Sequence, residues 1–322
     1  MPLIGTHNGK FHCDEVFACY MLKKLPEFKD HIIVRTRDPT ILDTCDVVVD
    51  VGGVFDPATK RFDHHQRSFT DTMNTLLKMN FHTKLSSAGL IYAHFGREVI
   101  AQTLGINCEN DVISMLYEKL YQCFVEGVDA IDNGIQQYDG EPRYQLSSTL
   151  TSRVDYLNPT WNDKKSQPDV QFDKAMAVVG EEFEDRLNYF YKSWIPARHL
   201  VVEAILARKS IHESGKIMEL KEGLPYKDHF FALEKELNIE RENICMVLYP
   251  GETNASWRIQ AIPRSEKSGF ENRINLPWRG LRDADLIAAS GIEGAIFVHI
   301  NGFIGGAKTR EGALRIAEEA LR

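Results

Sequence analysis

The chain has 322 residues, 43% hydrophobic and 26% charged, with a formal net charge of −8 at pH 7. That length exceeds what a single hydrophobic core usually serves, so two domains are expected, and the composition is that of a soluble globular protein without a membrane-length apolar run. The acidic balance excludes a protein that grips nucleic acid mainly through a basic surface and counterion release; any polyanion must be met locally.

In chain order, residues 2–7 read as a short buried strand. Asp14 can cap the helix that follows, whose apolar positions Val16, Phe17, Tyr20, Met21 and Leu25 recur at helical spacing before Pro26. Ile32-Ile33-Val34 is a second strand, Asp38-Pro39 opens a turn or short helix, and residues 46–51 form a third strand stopping at Gly52-Gly53. The alternation predicts a parallel sheet. His7, Asp50 and the segment 61–65 should then lie beyond its carboxyl edge, where open α/β sheets bind ligands.

Ser86-Ser87 can cap a helix to about Leu104, and a longer pattern carries Ile113, Leu116, Leu120, Phe124 and Val128 from Asp111 toward Gly134. Residues 143–166, rich in Ser, Thr, Asn and Pro and without period, are the expected linker or mobile loop. A helical stretch from about Val170 to Arg208, bent near Pro196, follows as a connector. Strands at 217–220, 244–248, 257–262 and 295–300, with helices after Ala284 and Glu311, suggest a smaller mixed sheet. The segment Phe297 to Lys308 reads as strand, glycine turn and helix, a ready anion-binding nest. The expected fold class is α/β: a parallel-sheet catalytic domain at 1–142, linker and connector helix at 143–208, and a substrate-binding domain at 209–322.

Six cysteines at 13, 19, 45, 108, 123 and 245 form no C-x-x-C pair, which argues against disulfides or a thiolate zinc site and fits a reducing compartment. With no visible presequence, a cytoplasmic or nuclear location is expected.

Four clusters carry chemistry: His7 with His12-Cys13-Asp14, the strand-closing Asp50, the triplet Asp63-His64-His65, and Asp129 with Asp132. Histidine and carboxylate together are the ligand set for Mn²⁺, Mg²⁺, Fe²⁺ or Zn²⁺. More than four ligands imply two cations, which at a spacing of roughly 3.5–4 Å can share a carboxylate and a water and clamp a phosphate for in-line displacement. Asp50, projecting from a rigid strand end, is the bridging candidate. Bland readings compete: Asp14 as a helix cap, Asp132-Asn133-Gly134 as an ordinary turn, and Asp129 as a solvated residue or one standing behind the ligands. Glu15 reads as a first-turn carboxylate matched to the helix dipole and is left outside the site.

The ordered clusters resemble the DHH phosphoesterase superfamily. More closely, the stretch from Thr6 to Glu15 (THNGKFHCDE), Asp50-Val51-Gly52-Gly53, Asp63-His64-His65-Gln66, Leu276-Pro277-Trp278-Arg279-Gly280-Leu281 and Gly302-Phe303-Ile304-Gly305-Gly306 look like signatures of the melanocyte-proliferating-gene family, over nearly the whole chain. The resemblance implies a metal-dependent 3′-to-5′ RNA exonuclease of nucleus and mitochondria that releases nucleoside monophosphates, with two divalent ions, Mn²⁺ ahead of Mg²⁺. It assigns Asp50 as metal bridge, His7 and His12 to one ion, and Asp14, His64 and Asp132 to the other. His65 would contact the scissile phosphate while Asp63 orients the histidines. One departure is the His12-x-Asp14 pattern where the superfamily carries Asp-x-Asp, which makes one shell richer in nitrogen.

The second domain resembles the substrate-binding half of such enzymes. Gly305 and Gly306 would bring backbone amides to a phosphate, with Arg258, Arg279, Arg282, His299 and Lys308 as positive groups and Trp257 and Trp278 as base-stacking candidates. The implied partner is RNA or an oligonucleotide, with no membrane; a homo-oligomer is left open. Two rivals remain: a hydrolase of small phosphoanhydrides or cyclic dinucleotides, and a non-catalytic RNA-binding protein.

Overall fold

Short β-branched runs in the first third of the chain become strands because each is hydrophobic throughout and is followed by a segment that can cross back over the sheet. Leu3–Thr6 (β1) leads to Cys13–Lys24 (α1), then Ile32–Arg35 (β2), Pro39–Leu42 (α2), Val47–Val49 (β3), Phe55–Asp56 (β4) and Arg61–Phe62 (β5). The sheet order is β2-β1-β3-β5-β4, with only β4 antiparallel to its neighbour. The register Ile4↔Val47 and Val48↔Arg61 therefore sets the carboxyl ends of β1, β3 and β5 side by side.

The computed structural model describes residues 1–163, 165, 167–251 and 256–322. They form two compact units, Met1–Phe190 and Tyr191–Arg322. The expected linker and connector at 143–208 thus divides, residues up to 190 belonging to the first unit and the rest to the second. No helix among the described residues is long and apolar enough to cross a membrane.

The first unit continues with Met73–Leu77 (α3), Ser87–Leu104 (α4), Asp111–Leu120 (α5), a π-helical turn at Tyr121–Val125, Glu126–Asp132 (α6), Leu150–Asp155 (α7) and Pro168–Tyr189 (α8). Helix α1 is buried on nearly every side and packs against α4 and α8, so the carboxylates in its first turn are buried with it. Three details differ from the sequence expectation. Position 12, not 14, is the N-cap of α1, and its backbone N–H donates to the Glu15 carboxylate at 2.9 Å. Ser86 stands at the N-cap of α4, but its hydroxyl and its N–H both donate to Asp129, at 2.7 and 3.0 Å, because that buried carboxylate is the stronger acceptor. Residues 143–166 are not all loop: Thr149 caps α7, and Asn158 exchanges two 2.8 Å hydrogen bonds with the Phe11 backbone. Residues 164 and 166 of that expected loop lie outside the described residues.

In the second unit, Ile195–Ile211 (α9), Ile217–Glu219 (β6), Lys227–Glu236 (α10), Met246–Pro250 (β7), Trp257–Ala261 (β8), Asp283–Ser290 (α11), Ala295–Val298 (β9), Ile304–Ala307 (β10) and Arg310–Leu321 (α12) form a mixed sheet of order β6-β7-β8-β10-β9 with helices on both faces. Side chains alternate as strand geometry requires: Ile217, Met246 and Leu248 enter one core with Ile316, while Met218 and Val247 enter another with Val201 and Phe230. Pro196 lies at the start of α9, directly after a π-helical turn at Phe190–Trp194.

Asp129 is the tie between α4 and α6. It is fully buried, and its oxygens accept from Ser86, from Gly89 N–H at 3.0 Å and from Tyr121 hydroxyl at 2.9 Å. Burial pushes its carboxyl up to about 7, against the pull of these hydrogen bonds. A Cβ on Gly89 would lie 2.3 Å from Asp129 Oδ2. Replacing glycine by alanine within a helix normally stabilises by up to ~1 kcal/mol. Here Gly89→Ala is expected to reverse that sign, costing about 3 kcal/mol by overpacking, which guanidinium unfolding midpoints would measure.

Candidate metal centre

The centre is assembled by chain ends. His7 follows β1, Asp50 follows β3 and Asp63-His64-His65 follows β5, three neighbouring parallel strands. Asp50 takes a left-handed backbone, φ 57°, a conformation Asp tolerates better than most residues, and its N–H is held by Phe62 carbonyl at 3.2 Å. Ser87, in the first turn of α4, donates to Asp50 Oδ1 at 3.1 Å and to Phe62 carbonyl at 3.0 Å. The first turn of α1 adds His12, Asp14 and Glu15, and the end of α6 adds Asp132. Arg35 braces the loop between β1 and α1 by donating to Gly9 carbonyl at 2.7 Å while its guanidinium covers Phe11 and Phe172.

His7 Nδ1 lies 3.0 Å from the Asn8 carbonyl, which leaves Nε2 facing Glu15 Oε1 at 3.0 Å and Asp50 Oδ2 at 3.3 Å. His64 Nε2 lies 3.2 Å from Asp132 Oδ2, 3.3 Å from Asp50 Oδ1 and 3.9 Å from Asp14 Oδ2. Three groups of donor atoms lie mutually within 4.8 Å: His7, His12, Glu15 and Asp50; Asp50, His64 and His65; and His12, Asp14 and Asp132. Asp50 and His12 each belong to two of them. All six sequence-predicted ligands are thus brought together.

Glu15 is the residue sequence reasoning left out. It is fully buried, lies in the first turn of its helix as expected, accepts there from the His12 N–H and also faces His7. The missed signal is its position in a helix with no polar face, since a carboxylate flanked by Val16, Phe17, Ala18 and Cys19 has no route to solvent.

Asp63 holds His65 rather than both histidines: Oδ1 meets His65 Nδ1 at 2.7 Å and its backbone N–H at 3.1 Å, while Oδ2 accepts from Gly53 N–H at 2.6 Å. The His65 side chain is 62% exposed, whereas that of His64 is 5% exposed, so the pair divides into one inward and one outward imidazole.

The electrostatics fit a cation. Burial alone would lower the His7 imidazole, but hydrogen bonds to Asp50 and Glu15 raise it to about 10; His64, likewise opposed by burial, is raised by Asp132 and Asp50 to about 9. Burial and the charges of Asp50 and Asp132 push the Asp14 carboxyl well above its ordinary value. Burial works against ionised Asp50 too, yet hydrogen bonds from His64 and His7 hold it below the usual carboxylate range. Both Asp14 oxygens and the Nδ1 of His64 are buried without a hydrogen-bond partner. Such atoms are costly unless something coordinates them, and a hard divalent ion suits this oxygen and imidazole donor set.

The second unit's candidates separate. His299 and Arg279 flank one turn: Gly302, φ 67°, would set a Cβ 3.0 Å from Arg279 Nε, and the exposed His299 ring packs 4.7 Å from Phe303. Arg258 lies over the Phe297 ring at 5.5 Å and donates to Ser256 Oγ at 3.1 Å. Exposed Lys308 follows β10, and exposed Arg282 is the N-cap of α11. The expected glycine turn is corrected here. Gly305 and Gly306 lie inside β10, paired on both edges, because a Cβ at 306 would meet the Phe297 ring at 2.9 Å and only glycine lets the strands close. Their amides serve the sheet. Trp257 and Trp278 are half-buried against the core.

A family model, MYG1_exonuc, described as an uncharacterised protein family (UPF0160), matches residues 3–321. A MYG1 protein of Caenorhabditis elegans is 56% identical over 99% of this chain and 95% of its own length. The MYG1 exonucleases of Mus musculus and Homo sapiens are each 52% identical over 99% of this chain, which spans 85% and 86% of them. A pGpG-specific phosphodiesterase from Vibrio, aligned over all of this chain and 97% of its own, has 15% identity and a TM-score of 0.26, too distant to bear on fold or function. The residues that build the centre lie within the matched span, and the chain belongs to the MYG1 exonuclease family.

Proposed function

We propose that the chain is a metal-dependent phosphodiesterase of nuclease type, which shortens RNA from its 3′ end by releasing nucleoside monophosphates. The observation that carries this reading is the convergence of four carboxylates and four imidazoles, five of the eight buried, in three donor groups that share Asp50 and His12. The exonuclease names of the mammalian relatives support a nucleic acid as substrate. In this reading Asp50 with His7, His12 and Glu15 would hold one Mn²⁺ ion, and Asp50 with His64, Asp14 and Asp132 would hold a second.

Divalent ions in such a cluster supply Lewis acidity, polarising a phosphoryl oxygen and acidifying a water for attack at phosphorus. The chain's own groups do the rest. Asp63 keeps the exposed His65 imidazole oriented and raises its proton affinity, so His65 can donate to a phosphate oxygen from the solvent side. Ser87 and the Phe62 carbonyl fix Asp50, so that the carboxylate need not reorganise. Positive groups of the second unit, Arg258, Arg279, His299 and Lys308, would meet the phosphate backbone. The net charge of −8 keeps the rival of a small phosphoanhydride or cyclic dinucleotide in play, because a small substrate needs no basic track.

Asp50→Asn is expected to lower Mn²⁺-dependent nucleotide release at least ~100-fold; undiminished release would contradict the proposal. RNA labelled at the 5′ end should shorten one nucleotide at a time and faster than pyrophosphate is hydrolysed, while faster pyrophosphate turnover would favour the rival.

Metal removal should be visible in stability. His7 and His64, raised to about 10 and 9, help hold the metal-free fold while protonated, and that contribution is full below about 6.5 and lost as pH rises through these values. In EDTA the melting temperature should therefore fall between pH 7 and 10. Saturating Mn²⁺ should remove the fall, with protons released on binding. Equal melting curves with and without the ion would count against the site.

A further inference from the structure

A second concavity adjoins the metal loop within the same unit. It has a volume of about 500 Å³ and is walled by Gly9, Lys10, Tyr156, Asn158, Pro159 and Pro168. It is tied to the metal loop directly: Gly9 and Lys10 lie between His7 and His12, Arg35 holds the Gly9 carbonyl at 2.7 Å, and Asn158 pairs with both polar groups of the Phe11 backbone at 2.8 Å. Helix α7, whose C-terminal end carries Tyr156, also packs against α1.

The chemistry of this wall is unusual for an ordinary surface. Tyr156 is 79% exposed. Tyr138, Tyr144, Tyr156 and Trp161 make four of the six exposed Phe, Tyr and Trp side chains among the described residues, concentrated in one segment. Lys10 pairs with Asp155 at 2.6 Å, but both side chains are at least half exposed, and such a surface pair is weak enough for a phosphate to displace. An exposed aromatic face, a cation within one pocket and a rigid link to the metal ligands together form the stacking-plus-charge pattern by which proteins hold single-stranded nucleic acid.

We infer that this pocket is a nucleoside subsite of the substrate strand, with a base stacked on Tyr156 and the adjoining phosphate on Lys10. The inference rests on the phosphodiesterase reading of the centre and adds where the strand is gripped. It adds two residues to the substrate-binding candidates read from the sequence: Tyr156, and Lys10 from within the Thr6–Glu15 stretch.

The test compares two substrates on the full-length protein in Mn²⁺: a short oligoribonucleotide and bis(p-nitrophenyl) phosphate, which has no base to stack and no second phosphate. Tyr156→Ala should raise KM for the oligonucleotide about tenfold and leave hydrolysis of the small diester unchanged, while Tyr156→Phe, which keeps the stacking face, should match the parent protein. Lys10→Ala should weaken oligonucleotide binding and flatten its salt dependence. An unchanged oligonucleotide KM in Tyr156→Ala, or equal losses on both substrates, would overturn the subsite while leaving the metal centre intact. A parent protein that hydrolyses neither substrate would instead remove the phosphodiesterase reading, and the subsite with it.

Discussion

Negative charge buried at one edge of a parallel sheet is the constraint on which the first unit is organised. Three neighbouring strands must end level with one another for His7, Asp50 and His64 to meet, and the buried helix after the first strand then delivers two more carboxylates to the same place. Carboxylates without access to water cannot stay ionised together unless positive charge stands among them. In the metal-free molecule two imidazoles take that role, which is why both bind protons so tightly. A divalent ion held by the same donors would supply more charge and release those protons.

The surroundings are built to hold this arrangement. Asp50 keeps a left-handed backbone because Phe62 and Ser87 fix it from two elements, and Asp129 clamps the start of the helix carrying Ser87 to the helix carrying Asp132. The bulk-free Gly89 is what lets that clamp close. Asp132 and Asp50 are thus linked through α6, the bonds of Asp129 to Ser86 and Gly89, and the neighbouring Ser87 on α4, so a shift in that clamp would reach the ligands.

Much of this was legible in the sequence. Hydrophobic runs ended by His7 and by Asp50 identified two strands with ligands at their carboxyl ends, and the triplet at 63–65 was placed beside them, while the two-residue strands β4 and β5 carry no such run. Glu15 was hidden, since the match of a first-turn carboxylate to the helix dipole explained it fully and its burial depends on what packs around α1. Asp129 was ambiguous for the same reason: a carboxylate near a helix end looks solvated until the hydroxyls and amides that face it, 43 and 40 residues away in Ser86 and Gly89, are in place. Gly305 and Gly306 were misread because a glycine pair signals a turn locally, whereas the need here is for room beneath Phe297 on a neighbouring strand. The polar segment after residue 143 offered no period, yet it holds a short helix and Asn158, whose partner is the backbone of Phe11 far upstream.

The most direct measurement of the central claim is anomalous X-ray scattering near the manganese absorption edge from crystals grown with Mn²⁺. The account predicts two peaks flanking the Asp50 carboxylate, one within ligand distance of His7 and the other of His64. Crystals with manganese absent from this cluster would contradict it.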